Sequence, residues 1–221
     1  MRIALGVMAR APSSAGKTRL ASHLSPPRLT ALRVALLADT LRIVERLPDV
    51  FIFFTPDDAE DEIASLAGTA MRCVAQRGGD LGARMLAALR HLLDAAAFDA
   101  ALLIGSDIPL LDVDRVNDAI ELLRAGGGVV LGPADDGGYY LIAMRQAHAG
   151  LFDDIAWGSA SVLTDTLRAA ERAGVAARLL PGAYDIDTID DLHRLERDLA
   201  SASPDACPAV RRWLLDGQAN G

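Results

Sequence analysis

Six short apolar runs, at residues 3–8, 50–55, 71–75, 101–105, 129–132 and 140–143, alternate along the chain with longer segments of helical period. Apolar runs of this length read as strands, and strands interleaved with helices build an α/β sheet. Helices are expected at 28–47, 81–96, 113–125, 161–173 and 189–199. In the first of them Leu29, Leu32, Leu36, Val44 and Leu47 are spaced to share one buried face. Gly126 to Gly128 supplies a stop before the next strand.

The 221 residues, 51% apolar and 24% charged, suffice for one sizeable core, so a single domain is expected over residues 1–200. Residues 201–221 form a tail in which Val210, Trp213, Leu214 and Leu215 could dock a short helix. A net charge of −8 argues against a broad nucleic-acid-binding face, which needs many Lys and Arg contacts to phosphate. Cys73 and Cys207 give neither a disulfide framework nor a clustered zinc site, which suits a reducing cytoplasm. No signal-peptide pattern and no uninterrupted apolar stretch of about 18 residues is present, so no membrane association is expected.

Against this frame, AALLIGSDIPLL (100–111) places Asp107 directly after an apolar strand and before Pro109. Ligands of open α/β sheets bind beyond the carboxyl ends of the strands, where an acid can hold a divalent cation against a phosphate. The alternative is that Asp107 caps the helix beginning near Asp112 or closes a turn with Pro109. APSSAGKTRL (11–20) follows the first strand and is read as opening a helix, so its amides and Lys17 are positioned to meet an anion. It nearly satisfies GxxxxGK[ST], but Ala11 stands where the first glycine belongs and Pro12 restricts it further. A solvated loop whose Lys17 and Arg19 touch nothing is the remaining alternative.

GPADDGGYYLIAM (132–144) joins two apolar runs through Asp135, Asp136, Gly137 and Gly138, a strong hairpin signal. Paired glycines also let backbone approach a ligand, and Tyr139 and Tyr140 then face opposite sides of the strand. YDIDTIDDL (184–192) sets Asp185 and Asp187 on one side of an extended segment, before Thr188 as N-cap and Asp190 and Asp191 in the first helical turn. Asp187, at this strand-to-helix junction, can meet Asp107 and complete an oxygen cage for Mg²⁺. His23, His91, His148 and His193 lack ligand spacing and stay outside the site.

Taken in order, KTRL (17–20), GGDLGARM (78–85), GSDIPLL (105–111), GPADDGGYYLIA (132–143), IAWGSASVLTDT (155–166) and DIDTIDDL (185–192) resemble one known group across about residues 1–199. This is the GT-A-type glycosyltransferase-like family of radical-SAM and arsenosugar gene neighbourhoods, related to 2-phospho-lactate and molybdenum-cofactor guanylyltransferases. The resemblance implies a Rossmann-like nucleotide-diphospho-sugar transferase fold, with a mostly parallel central sheet and helices on both faces. It implies Lys17 and Arg19 near phosphates, and Asp107 and Asp187 as ligands of Mg²⁺ or Mn²⁺. Asp136, Gly137 and Gly138 match the acceptor-side turn, with Tyr139 beside it.

The chain departs from that pattern in the loop before KTRL, one residue short, and at Arg10, where the family has lysine. Trp157 is also followed by Gly158 and Ser159 rather than Ser and Thr. The same fold transfers either a sugar from a nucleotide sugar or a nucleotidyl group to a phosphate. The acidic DDGGYY turn suits a hydroxylated acceptor better than an anionic one, which tilts the expectation to glycosyl transfer, with Lys17 and Asp136 as the catalytic side chains. Nucleotidyl transfer releasing pyrophosphate is the alternative, followed by a P-loop NTPase and a non-catalytic nucleotide-binding module. The expected partners are a nucleotide or nucleotide sugar and a small acceptor.

Overall fold

A computed structural model describes residues 1–47 and 49–218. Strands β1 (Ile3–Arg10), β2 (Val50–Thr55), β3 (Arg72–Ala75), β4 (Ala100–Gly105), β5 (Val129–Pro133), β6 (Tyr139–Met144) and β7 (Ala177–Leu179) form one sheet, ordered β3-β2-β1-β4-β6-β5-β7. Val7 of β1 lies opposite Ile52 on one side and Ile104 on the other, both pairings parallel. β6 runs antiparallel between β4 and β5 because a tight turn, rather than a helix, connects it to β5. The remaining pairings, β3 with β2, β2 with β1, β1 with β4 and β5 with β7, are parallel, so the sheet is mostly parallel as the resemblance implies. β7, three residues with two exposed, carries no apolar run to reveal it.

Alternation along β2 shows how the core divides. Ile52 and Phe54 pack on one face with Leu37 and Leu41 of α1 (Pro26–Val44), Ile63 of α2 (Glu60–Ala67) and Leu123 of α4 (Val113–Arg124). Phe51 and Phe53 enter the opposite layer with Met85 and Leu89 of α3 (Leu81–Arg90) and Ala170 of α5 (Val162–Arg172). Helices therefore cover both faces, as expected. The 81–96 helix is shorter than its pattern suggests, giving way after Arg90 to a π-helical turn at His91–Ala95. α2 escapes the periodicity search because only Ile63 and Ala67 of its eight residues are buried.

A third apolar cluster joins α1 to α6 (Ile189–Ser201) and α7 (Pro208–Gln218), with Tyr184 and Ile186 between them. α7 is anchored by α1: both Asp39 carboxylate oxygens accept α7 amides, from Ala209 and Val210 at 2.9 Å each. The Trp213 indole donates to the Arg28 carbonyl at 3.0 Å, and the Arg28 guanidinium stands 3.9 Å from the ring centroid. Leu215, expected to help dock the tail, is instead 65% exposed, and residues 219–221 of that tail lie outside the described residues.

The sheet order reverses between β1 and β4, since β1 leads outward to β2 while β4 leads the other way to β6. That switch point opens a crevice beyond the strand ends.

Candidate active site

Two loops and one strap converge on the crevice. After Arg10 the chain turns through residues 11–17, and after Gly105 it turns through Ser106 and Asp107. The loop after β1 does not begin a helix. Lys17 adopts a left-handed conformation (φ 51°), only a 3₁₀ turn follows at Leu20–Ser22, and α1 waits for Pro26 and Pro27, which suit a first helical turn. Arg33, a nearly buried residue of α1, fixes the loop by donating to the Ser14 carbonyl and, at 2.8 Å, to the Ala11 carbonyl. Burial and the neighbouring Arg10 lower the Arg33 pKa below its ordinary value.

Asp107 is not the cap of α4. Asp112 fills that position, accepting from the Arg115 amide at 2.9 Å, and this leaves Asp107 for the crevice. The strap 183–187 crosses beside it, with the Ile186 amide donating to the Asp107 carbonyl at 3.3 Å. Ile186 is fully buried, so the two-residue period turns Asp185 and Asp187 together toward Asp107. One carboxylate oxygen from each of the three acids lies within 4.8 Å of the others. Thr188 and Asp191 form a capping box at α6, so Asp191 is committed to the helix terminus, as the sequence suggests.

The Lys17 ammonium stands among these acids, 2.8 Å from Asp107 Oδ2, 3.1 Å from Asp187 Oδ1 and 2.5 Å from the Ile186 carbonyl. Burial works to lower its pKa, but Asp107 and Asp187 outweigh that and raise it. Among the described residues Asp185 has no cationic partner within ion-pair distance. Burial, then the like charges of Asp107, Asp187 and Asp136, push its carboxyl up to about 6.

On one side of Asp107 lies a hollow of about 190 Å³ lined by Arg10, Gly16, Lys17, Arg33 and Ser106. On the other is a cavity of about 230 Å³, walled by Met85, Asp136, Tyr139, Tyr140, Trp157 and Asp185. Among the described residues no Lys or Arg lines this second cavity. A strip along β1 and β4, including Arg10, Asp107 and Tyr139, runs between them. A larger cavity, about 430 Å³, lies away from these acids between α1 and the start of α7. Its Asp39 is spent on capping, and Arg42 donates to the Asp205 carbonyl at 2.8 Å.

The remaining sequence candidates separate. Asp136 is exposed at the cavity edge, its Oδ1 accepting from the Gly138 amide at 2.8 Å. Gly138 and Tyr139 line the cavity. Gly137 does not offer itself to a ligand: with φ 89°, an added Cβ would come 2.2 Å from the Ala160 carbonyl, and its own carbonyl accepts from Leu163. Its lack of a side chain serves packing against the 156–161 loop. Arg19, at the start of the 3₁₀ turn, is exposed and lines neither hollow. Tyr139 and Tyr140 do point to opposite faces. The first is pushed up in pKa by burial beside Thr166, while the second donates to the Pro181 carbonyl at 3.1 Å.

Two residues went unassigned from sequence. Asp185 was placed on the same side as Asp187 by the DID alternation, but only Asp187 was assigned to the metal. Trp157 stood within the IAWGSASVLTDT motif but was given no role. Its indole packs against the bare α-carbon of Gly82, where a Cβ would come 2.3 Å from the ring, and it stacks on Phe152 with centroids 6.3 Å apart.

A family described as "uncharacterized protein conserved in bacteria (DUF2064)" matches residues 40–159. A 2-phospho-L-lactate guanylyltransferase from Methanothrix thermoacetophila is 37% identical over 139 residues, 61% of this chain; the chain thus spans only 58% of that relative's length. A phosphoenolpyruvate guanylyltransferase from Roseiflexus sp. (strain RS-1) is 33% identical over 80% of this chain and 77% of its own. A crystal structure from Desulfovibrio desulfuricans G20, provisionally described as a nucleotide-diphospho-sugar transferase, superimposes with a TM-score of 0.89. It is 31% identical, covering 98% of this chain and 95% of that one.

Proposed function

The chain belongs to the DUF2064 family, and from that premise we propose that it is a nucleotide-handling transferase that moves a sugar from a nucleotide sugar to a small, non-anionic acceptor. The observation that carries this reading is the division of charge around Asp107. A nucleotide's phosphates suit the Arg10, Lys17 and Arg33 side, whereas an acceptor bearing its own phosphate would meet only carboxylates in the other cavity. An aromatic wall facing acids suits a ring with an apolar face and a hydroxylated edge.

Asp107, Asp185 and Asp187 fit a hard divalent cation, Mg²⁺ or Mn²⁺, because they offer three oxygens that small side-chain movements bring onto one ion. When bound, that ion neutralises charge on the leaving phosphate. Arg33 holds the 11–17 loop in place, and Lys17 adds a positive charge near the leaving diphosphate. Asp136 has Oδ1 engaged by Gly138, leaving Oδ2 to take the acceptor's hydroxyl proton. The acceptor oxygen bonds to the sugar carbon as the bond from that carbon to the β-phosphate oxygen breaks, and nucleoside diphosphate leaves.

A second reading, nucleotidyl transfer, is favoured by the names of the 37% and 33% identical relatives. There an acceptor phosphate would attack the α-phosphorus of a triphosphate and release pyrophosphate. Phosphorus NMR of the protein with Mg²⁺, mixed acceptors, and either nucleotide sugars or triphosphates separates the two. Glycosyl transfer yields nucleoside diphosphate, and Asp136→Asn lowers its turnover by about 10²-fold or more with little change in nucleotide affinity. Pyrophosphate formed only from a triphosphate would replace this reading with the second. Among the described residues no helix is long and apolar enough to cross a membrane. A cytoplasmic location, in keeping with two free thiols, belongs to the same proposal.

A further inference from the structure

The position of Lys17 bears on how a metal could enter. Its ammonium has three protons and meets three acceptors: Asp107 Oδ2 at 2.8 Å, Asp187 Oδ1 at 3.1 Å and the Ile186 carbonyl at 2.5 Å. An ion that takes those same two oxygens would sit about 2.0–2.6 Å from them and compete with the ammonium for their lone pairs, in a crevice where Lys17 is only 10% exposed. Two cations on the same oxygens repel each other strongly, which favours the departure of one.

We propose that Lys17 is a displaceable cation that closes the carboxylate site in the metal-free protein and yields it only to a metal arriving with phosphate. The idea rests on the metal site proposed above and goes beyond it in setting the order of binding. The backbone at Lys17 is held in place: Arg33 donates to the Ala11 and Ser14 carbonyls, and the Lys17 carbonyl accepts from Leu20 and Ala21. Displacement is therefore a swing of the long side chain rather than a loop movement. Its destination is the adjoining hollow, which Lys17 lines together with Arg10 and Arg33.

In that hollow the ammonium would lie between two guanidinium-bearing side chains with no carboxylate but Asp107 and Asp187 to face it. Without an anion it has every reason to stay among the acids. With a phosphate present it has a new partner, and the acids are free for the metal. Metal and phosphate therefore strengthen each other's binding, and linkage makes the effect reciprocal.

Calorimetric titration of the full chain with Mn²⁺ alone and with a preformed Mn²⁺–pyrophosphate complex tests this, in the wild type, Lys17→Met, Lys17→Gln and Asp107→Asn. The wild type should bind the complex at least about 10-fold more tightly than Mn²⁺ alone, within the usual range of coupling between two ligands. Lys17→Met should bind Mn²⁺ alone about 10-fold more tightly than the wild type, and lose most of the preference for the complex. Lys17→Gln, which keeps a hydrogen-bonding head without the charge, should behave likewise and guards against a folding defect in the methionine variant. Mn²⁺ affinity unchanged or weaker in both Lys17 variants, with binding still abolished in Asp107→Asn, would overturn the displacement while leaving the metal site standing. Equal binding by wild type and Asp107→Asn would remove the metal site and the displacement with it.

Discussion

The two sides of Asp107 are built from the same kind of parts, a strand end and a tight loop, yet they present opposite chemistry. The β1 side carries Arg10, Lys17 and Arg33, and its loop is held from behind by a guanidinium. The β6 side carries Asp136, Asp185 and three aromatic rings and, among the described residues, no Lys or Arg. A carboxylate on the border faces both. What the contrast teaches is that one border residue can divide a cleft by charge: an anion suits one side and meets like charge on the other.

The largest effect should come from removing the border itself. Asp107→Asn leaves the shape of both hollows but takes a ligand from the proposed metal site and a charged partner from Lys17. Turnover should fall by about 10³-fold, roughly 4 kcal/mol of transition-state stabilisation. Steady-state assays in Mn²⁺ check this, and a loss under 10-fold would break the comparison at its centre.

Next, Gly82→Ala tests the aromatic side alone. The new Cβ would stand 2.3 Å from the Trp157 ring, so the indole must move. Overpacking of this kind costs about 1–3 kcal/mol by chemical denaturation. The acceptor KM should rise several-fold with nucleotide affinity unchanged; a change in nucleotide affinity instead would mean that the two hollows are not separate in function.

The unpaired acid gives a smaller, pH-dependent effect. Folding raises the Asp185 pKa from 3.8 to about 6, so the native state binds this proton more tightly than the unfolded chain. The metal-free protein should therefore lose stability as pH rises through that window, with the full loss present above it. Melting curves at pH 4.5 and 7 should show the Asp185→Asn variant gaining on the wild type at the higher pH, and saturating Mn²⁺ should shrink the gap.

Smallest for the site is Asp39→Ala, which removes the cap of α7 far from the crevice. About 1 kcal/mol of stability should be lost, with kcat and KM unchanged. Altered kinetics would show that the α1–α7 cluster feeds into the cleft.

How much of this was legible in the sequence follows from where each signal lives. Strands buried on both faces announce themselves as apolar runs, and so VFIFFT and AALLIG were plain. Edge elements such as β7 and α2 owe their existence to a neighbour and bury too little to leave a pattern. Asp107 and Asp187 could be paired because both sit at junctions between apolar and helical segments. The alternation put Asp185 on the side of Asp187, but that this side faces Asp107 follows only from the burial of Ile186 in the folded chain. Lys17 was found as a charge near the crevice, but its aim at the carboxylates depends on a left-handed backbone that no residue type at position 17 foretells. Arg19, two residues on, looked equivalent in sequence and turns outward.

The most direct measurement is a thermal-shift panel of nucleotide sugars and nucleoside triphosphates, each with and without Mn²⁺, on the wild type and Asp107→Ala. A ligand present at 100 times its Kd should add about 2.7 kcal/mol of stability, an easily read shift. Stabilisation by a nucleotide sugar that requires Mn²⁺ and disappears in Asp107→Ala is the expected result. Stabilisation by triphosphates alone, or by either ligand equally with and without Asp107, would contradict it.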